Sequence, residues 1–559
     1  MNGNTSARGG LGTLIQMQNQ RSLTIALILF IALIGLHIPA SASAYNAHPK
    51  LVVVIVIDQF RGDYLERGHD SFGQGGFRLF MEKGAWFSNC NYEYANTRTA
   101  PGHATLFTGA YSSGHGIYNN EFWNESLQRV VTSVEDDSFT IVGVPGDLTG
   151  ASPHNLLSST LGDELRLATD GKSRVFGVAL KDRASVLPAG YSGTAYWIDK
   201  TKGDWVSSTY YMKELPPWVQ AFNQGGKSDK YWNRSWKVGD KELRNTNKPA
   251  TLTDKENFYE IVGATPFAND YEFEFARELI QQEKLGQGPA TDLLVVSLSA
   301  NDILGHKVGP NSDESRAMVQ ELDRQIADFF SFVGSQVGLG DVWLALSADH
   351  GISPAPSYLP DLHIPGAYLG QDQLRVTLND QLRAKLYKPL PAGSKTKPKK
   401  AEDFVPKMDW PLIMLNKQAF EDVHVNEADA ERMVAELLKS YSRGYYTRMQ
   451  IANGQLPPNE MGRRYANSLS PKAGWLVYMV SPPFFVGGSS GTDHAMPYSY
   501  DMHVPLAFYG LPFQPGVYRG ECQTVDLAPT IANLLGINNP SAAVGRVLTE
   551  SLRPTGNGQ

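Results

Sequence analysis

Hydrophobic positions in this chain fall into short, almost unbroken runs: "LVVVIVID" (51–58), "VFGVAL" (175–180), "LLVVSLS" (293–299), "VWLALSAD" (342–349) and "VPLAFYG" (504–510). Each run ends in a polar residue or a turn. A strand with one face in water alternates apolar and polar residues, whereas continuous β-branched runs belong to strands covered on both faces. Between the runs the period changes. Residues 315–334, "SRAMVQELDRQIADFFSFVG", keep Met318, Leu322, Ile326, Phe329 and Phe330 on one helical face. Residues 426–441 open with Asn426, whose side chain suits an N-cap. The alternation predicts an α/β fold: a mostly parallel central sheet with helices on both faces. Two stretches break the rhythm. Residues from about 190 to 260 are rich in Trp, Tyr, Lys and Asn, and about 355–480 carry the Lys/Pro-rich "PAGSKTKPKKAED" (391–403). Both are expected as cap-like insertions roofing the carboxyl edge of the sheet, within a single domain spanning 45–559.

The first 44 residues stand outside that domain. Arg21, an apolar run from Leu23 to Ile38 and the small-residue ending Ala42-Ser43-Ala44 have the three regions of a cleavable signal peptide. The apolar run falls short of the ~20 residues that span a bilayer. The expected mature protein is therefore periplasmic or secreted, with no membrane anchor after cleavage. Loss of residues 1–44 removes Arg8 and Arg21 and no acidic residue, moving the formal net charge from −7 to −9. Such a surface gives no reason to expect nucleic-acid binding. Only Cys90 and Cys522 occur, so no disulfide framework holds the fold.

In open α/β sheets, ligands bind beyond the carboxyl ends of strands. Asp58 closes the first run, Asp302 and His306 follow the third, Asp349 and His350 end the fourth, and His494 precedes the fifth. One set is Asp302, His306 and His494; the other is Asp58, Asp349 and His350. Oxygen and imidazole donors without thiolate suit catalytic zinc. Two such ions about 3.5–4 Å apart clamp an in-line displacement at phosphorus. In "RTAPGHATLFTG", Pro101 marks a helix start, which puts Thr99 at an end that attracts anions. Coordination turns a threonine hydroxyl into a competent nucleophile. Thr97 lies farther from the Pro-defined start, so Thr99 is the candidate.

Eight motifs, in order, carry a resemblance: "VIDQFRGDYL", "TAPGHATLFTG", "HGIYNNEFW", "ALKDRASVLPAGY", "NDILGHKVGP", "SADHGI", "GTDHAMPYSYDMHVPLAFYG" and "VDLAPTIANLLGI". The chain resembles the alkaline phosphatase superfamily, in its threonine-nucleophile, monoester-hydrolysing periplasmic branch. The resemblance implies one zinc on Asp302, His306 and His494 and a second on Asp58, Asp349, His350 and the Thr99 oxygen. It prefers His494 to the nearby His503. It implies that Asn120, rather than Asn119, donates to a phosphate oxygen, and that Lys181 and Arg183 clamp the phosphoryl charge. The implied activity is hydrolysis of small-molecule phosphate monoesters to inorganic phosphate through a phosphothreonine, by a monomer. His103 and His115 are expected to hold loops through hydrogen bonds. An accessory Ca2+ or Mg2+ is left open, with no ligands assigned. The rivals are a nucleotide phosphodiesterase of the same superfamily and a non-catalytic metal- or phosphate-binding protein.

Overall fold

The computed structural model describes residues 48–387 and 403–554. The expected leader and most of the Lys/Pro loop lie outside the described residues. Among the described residues, no helix is long and apolar enough to cross a membrane.

Among these residues, twelve strands form one sheet. Its core strands are β1 (Leu51–Ile57), β2 (Ala85–Asn91), β3 (Val175–Ala179), β4 (Thr194–Ile198), β5 (Asp292–Leu298), β6 (Val342–Ser347) and β7 (His503–Tyr509), in the order β2-β7-β6-β1-β5-β3-β4. No residue of β1 is more than 1% exposed, which explains its unbroken apolar run. Helices cover both faces: α1 (Thr99–Thr108), α2 (Asp182–Ala189), α3 (Pro266–Gln282), α4 (Ala300–Val308) and α5 (Asp313–Val337). The expected stripe of α5, Met318, Leu322, Ile326, Phe329 and Phe330, is buried, with Phe329 stacked on Phe273 of α3.

Register decides what gathers at one edge. β1 runs parallel to β5, with Ile57 opposite Leu298, and parallel to β6, with Val56 opposite Ser347. Continuing that register sets Asp58 level with Asp349. β3 is parallel to β5, so the residues after Ala179 emerge beside those after Leu298. β7 is antiparallel to β6, so the loop preceding β7 lies at the same edge. β2 is antiparallel to β7 and delivers the chain toward Thr99 there too.

The two irregular stretches have different fates. The one near 190–260 is only partly a roof. Its residues Thr194–Ile198 pair with β3, and Trp205–Ser208 pair with β4, so both extend the main sheet. These strands are short and buried on both faces, with Tyr196 and Trp197 on opposite faces of the first, which hides the period-2 signal. Ser235–Val238 and Lys241–Asn245 form a separate hairpin. The stretch near 355–480 builds its own antiparallel sheet, in the order Lys407–Asp409, Leu412–Met414, Leu476–Met479, Tyr445–Thr447. Trp410, Phe420, Val434, Leu438 and Val477 make its apolar core. Asn426 caps the helix Glu427–Leu438, its side-chain oxygen accepting from Asp429 N at 3.0 Å.

Glu431 of that helix is fully buried and accepts from Met449 N at 3.2 Å. Burial, opposed in part by that hydrogen bond and aided by nearby Glu427, pushes its carboxyl up to about 7. The unfolded chain returns it to about 4.3, so the folded state binds the extra proton in between. Its contribution to stability is complete below the unfolded value and is lost as pH rises toward 7. Glu431→Gln should therefore remove a loss on the order of 2 kcal/mol between pH 5 and 8. Thermal melts of both proteins across that range check it; parallel pH profiles would contradict the assignment.

Candidate active site

Asp58, Asp349 and His350 meet where β1 and β6 end. All three are fully buried. His350 Nε2 lies 3.5 Å from Asp58 Oδ1 and 3.6 Å from Asp349 Oδ2. These three atoms are buried and without a hydrogen-bond partner, a costly arrangement unless something else binds them. Donors about 2.0–2.1 Å from a shared tetrahedral zinc lie roughly 3.4 Å from one another. The residues present fit a cation.

A second cluster adjoins it. His306 Nε2 is 3.1 Å and His494 Nε2 is 3.9 Å from Asp302 Oδ1. Asp302 and His306 occupy successive turns of α4 and so share a face. Each imidazole is oriented by a carbonyl at its other nitrogen: His306 Nδ1 by Thr492 O at 3.0 Å, His494 Nδ1 by Thr97 O at 2.7 Å, His350 Nδ1 by Gly351 O at 2.9 Å. A carbonyl only accepts, so Nδ1 carries a proton in each and Nε2 is the nitrogen turned toward the site, as metal ligation requires. Burial pushes His350 down, and burial with repulsion from His350 and His306 holds His494 well below its ordinary value. His306 is half-buried, and the Asp302 charge outweighs its desolvation and lifts it to about 9, so its Nε2 must give up a proton before it can ligate a cation. His503 is elsewhere, its Nε2 at 3.0 Å from Ser88 O. Asp501 accepts from Met496 N and touches no imidazole ligand.

Lys181, 1% exposed, links the clusters. Its Nζ donates to Asp58 Oδ2 at 2.6 Å and Asp302 Oδ2 at 2.5 Å. Burial disfavours its charge, yet Asp302 and Asp58 more than offset this and raise its proton affinity. Burial would likewise raise the Asp302 carboxyl, but Lys181 and His306 hold it well below the usual range. Asp349 does not touch Lys181, whose charge only partly offsets burial and the Asp58 charge, and these push it well above its ordinary value. Three buried carboxylates thus share one ammonium, a surplus of negative charge that further cations would neutralise. Arg183, on the first turn of α2, keeps its guanidinium charged against burial through Asp182 and, more distantly, Asp58 and Asp302.

Several supporting residues carry no signal in the sequence. Gln59, held at φ 64°, donates its backbone N–H to Asp349 Oδ1 at 3.0 Å and its amide to Asp302 Oδ1 at 2.6 Å. Only glycine at 305 leaves room for it, since a Cβ there would come within 1.9 Å of Gln59 Oε1. Asn301 donates to the carbonyls of Asp58 and Gln59, both at 3.0 Å. Buried Glu272 accepts from Leu180 N at 3.0 Å, just before Lys181.

Thr99 is the first residue of α1 and is 1% exposed. Two residues earlier, the Thr97 carbonyl accepts from His494 Nδ1 and from Ala495 N. One turn later, His103 Nδ1 lies 2.8 Å from Thr99 O and 3.4 Å from Asp349 Oδ2, while its Nε2 meets Ser297 Oγ at 2.7 Å. The start of α1 is therefore wedged between the His494 loop and the end of β6. Asn120 Oδ1 accepts from Ala100 N at 2.8 Å, which leaves its NH2 available beside the helix terminus. Asn119 is instead fully buried, donating to Glu121 O and Asp409. His115 is held within its loop by Thr105 and Ile117 N.

A mostly parallel sheet whose strand ends present buried Asp and His clusters, a helix N-terminus and a Lys/Arg pair defines a hydrolase of phosphate esters with the alkaline-phosphatase fold. The chain belongs to the type I phosphodiesterase/nucleotide pyrophosphatase family, which matches residues 52–503. It is 33% identical to alkaline phosphatase PafA of Elizabethkingia meningoseptica, over 90% of this chain and 94% of that one. Alkaline phosphatase PhoV of Synechococcus elongatus is also 33% identical, over 91% and 94%. So is a Myroides odoratus protein named calcium-transporting ATPase, over 91% and 96%. The crystal structure of PafA aligns with a TM-score of 0.80 at 31% identity, covering 90% of this chain and 99% of that one.

Gly102 is the point of closest approach between α1 and β6. A Cβ there would fall 2.2 Å from Asp349 O, a backbone atom that cannot step aside. Gly102→Ala should cost about 1–3 kcal/mol of stability through overpacking and displace Thr99 from the clusters. Denaturant melts and phosphate-ester turnover check this; a variant with unchanged midpoint and activity would show that the contact is slack.

Proposed function

We propose that the protein is an exported di-zinc alkaline phosphatase that hydrolyses small-molecule phosphate monoesters through a phosphothreonine on Thr99. The observation that carries the reading is Lys181: a buried ammonium pinned between one carboxylate of each Asp/His cluster. A dianionic monoester needs more fixed positive charge than a monoanionic diester, and Lys181 with Arg183 provides it.

Asp302, His306 and His494 would hold one zinc, and Asp58, Asp349, His350 and the Thr99 oxygen the other. When bound, zinc supplies Lewis acidity, lowering the proton affinity of a hydroxyl and offsetting phosphoryl charge. The chain's own groups do the rest. The α1 terminus and the Asn120 NH2 donate to phosphate oxygens, and Lys181 and Arg183 hold the equatorial charge. The Thr99 oxygen bonds to phosphorus as the ester P–O bond breaks, and the leaving oxygen departs as an alcohol after taking up a proton. Water then attacks the phosphothreonine, releasing inorganic phosphate and restoring the Thr99 hydroxyl. In this reading residues 45–559 are one catalytic domain, 1–44 a removed leader, and the working unit a periplasmic or secreted monomer. The description of the matched family favours a second reading, a phosphodiesterase using the same metals and nucleophile.

Thr99→Ala should lower turnover at least about a thousandfold, the scale expected when a covalent nucleophile is lost, with zinc content unchanged. Near-wild-type hydrolysis would remove Thr99 from its role. Replacing both Lys181 and Arg183 by Ala should cost monoester hydrolysis about 3–4 kcal/mol per donor in transition-state stabilisation and diester hydrolysis much less. Comparing p-nitrophenyl phosphate with its bis ester decides this; equal losses favour the diesterase reading.

A further inference from the structure

The cap sheet reaches the residues flanking Thr99 and Asn120 through Asp409, at the end of the strand Lys407–Asp409, beside an apolar cluster of Leu412, Met414 and Tyr478 with Ala95 and Tyr118. Its Oδ1 lies 2.9 Å from the Arg98 guanidinium and its Oδ2 accepts from Asn119 Nδ2 at 2.9 Å. Arg98 and Asn119 are the residues immediately before Thr99 and Asn120. Both are buried, at 6% and 0% exposure, and the Asp409 side chain is 15% exposed. Arg98 NH2 also donates to Trp410 O at 3.2 Å. The anchor is itself fixed. Trp410 donates its backbone N–H to Gln371 at 2.8 Å and its indole N–H to Ser481 at 2.8 Å. Two residues before Asp409, Lys407 pairs with Glu121 at 2.6 Å, so the strand grips both sides of Asn120.

We infer that Asp409 is a positioning residue that sets the spacing between Thr99 and Asn120, making the cap a structural part of the phosphate site as well as its roof. This rests on the reading of Thr99 and Asn120 given above. The two segments come from positions 98 and 119, and the other links across the gap are the Asn120–Ala100 hydrogen bond, the Asn96 amide donating to Tyr118 O at 2.5 Å and to Asn119 Oδ1 at 3.3 Å, and the apolar cluster that holds Ala95 and Tyr118; none of these touches Arg98. Bidentate use of one carboxylate by an arginine on one segment and an amide on the other holds them at a fixed separation. A misplacement of an ångström in such a constellation is enough to cost a hundredfold in rate.

The test uses the zinc-loaded full-length protein with Asp409→Ala, Asp409→Asn, Asn120→Ala and the double variant Asp409→Ala/Asn120→Ala. The readouts are kcat/KM for p-nitrophenyl phosphate and calorimetric affinity for inorganic phosphate. Asp409→Ala should lower kcat/KM tenfold or more and weaken phosphate binding. The isosteric Asp409→Asn, which keeps one acceptor, should lose less. In the Asn120→Ala background the same Asp409→Ala change should cost under threefold, a coupling that a general loosening of the cap does not produce. Where Asp409→Ala fails to fold, a loss of threefold or more in phosphate affinity for Asp409→Asn supports the role. Both rates and affinities within twofold of wild type, or losses that multiply fully with Asn120→Ala, overturn it. Phosphate affinity does not depend on Thr99 chemistry, so failure here is separable from failure of the nucleophile assignment.

Discussion

Two carboxylates level at the ends of neighbouring strands, Asp58 and Asp349, and a third on helix α4, Asp302, with one lysine among them, set the terms for the whole site. Like charges buried at that spacing repel, and low polarisability around them makes the repulsion strong. The shifts follow from this: burial and the Asp58 charge push the Asp349 carboxyl well above its ordinary range, Lys181 and His306 hold Asp302 well below it, and Asp302 and Asp58 raise the proton affinity of Lys181. The atoms left without partners belong to the cluster that Lys181 serves least, Asp349 and His350 together with the second oxygen of Asp58. A fold that buries such a cluster without protein partners for those atoms suits a positive charge among them.

Much of the surrounding structure exists to keep those charges in register. Parallel pairing puts β1, β5 and β6 end to end, and antiparallel β7 returns the His494 loop to the same edge. Gln59 stitches Asp302 to Asp349 from a left-handed backbone position. Gly102 and Gly305 each mark a place where a methyl group would strike this assembly. Glycine in "TAPGH" thus answers to packing against Asp349, whereas the proline beside it answers to the helix start.

The cap has a different logic. It carries its own apolar core and its own sheet, and it meets the segments flanking the site through an apolar cluster with Ala95 and Tyr118 and through polar side chains at a hairpin end. Ionic and hydrogen-bonded contacts of that kind constrain direction and distance more than they add net stability. That division suits a site in which the central sheet supplies the charged groups while the cap holds two largely buried segments, 96–99 and 118–120, against each other.

The sequence by itself determined the central strands, the α5 stripe, the Asn426 cap and the polar residues that close each apolar run, because these follow from local period and local hydrogen bonding. It also singled out Asp58, Asp302, His306, Asp349, His350 and His494, since strand-end chemistry is visible in the residues themselves. Only the tertiary structure decided that Thr194–Ile198 and Trp205–Ser208 belong to the main sheet, that Lys181 bridges two clusters, and that Gln59, Glu272 and Asp409 support the site. The two strand pairings depend on sheet register between neighbouring segments, and the side-chain contacts join residues far apart along the chain; no period or spacing encodes which partner a strand, a glutamine or an aspartate will meet.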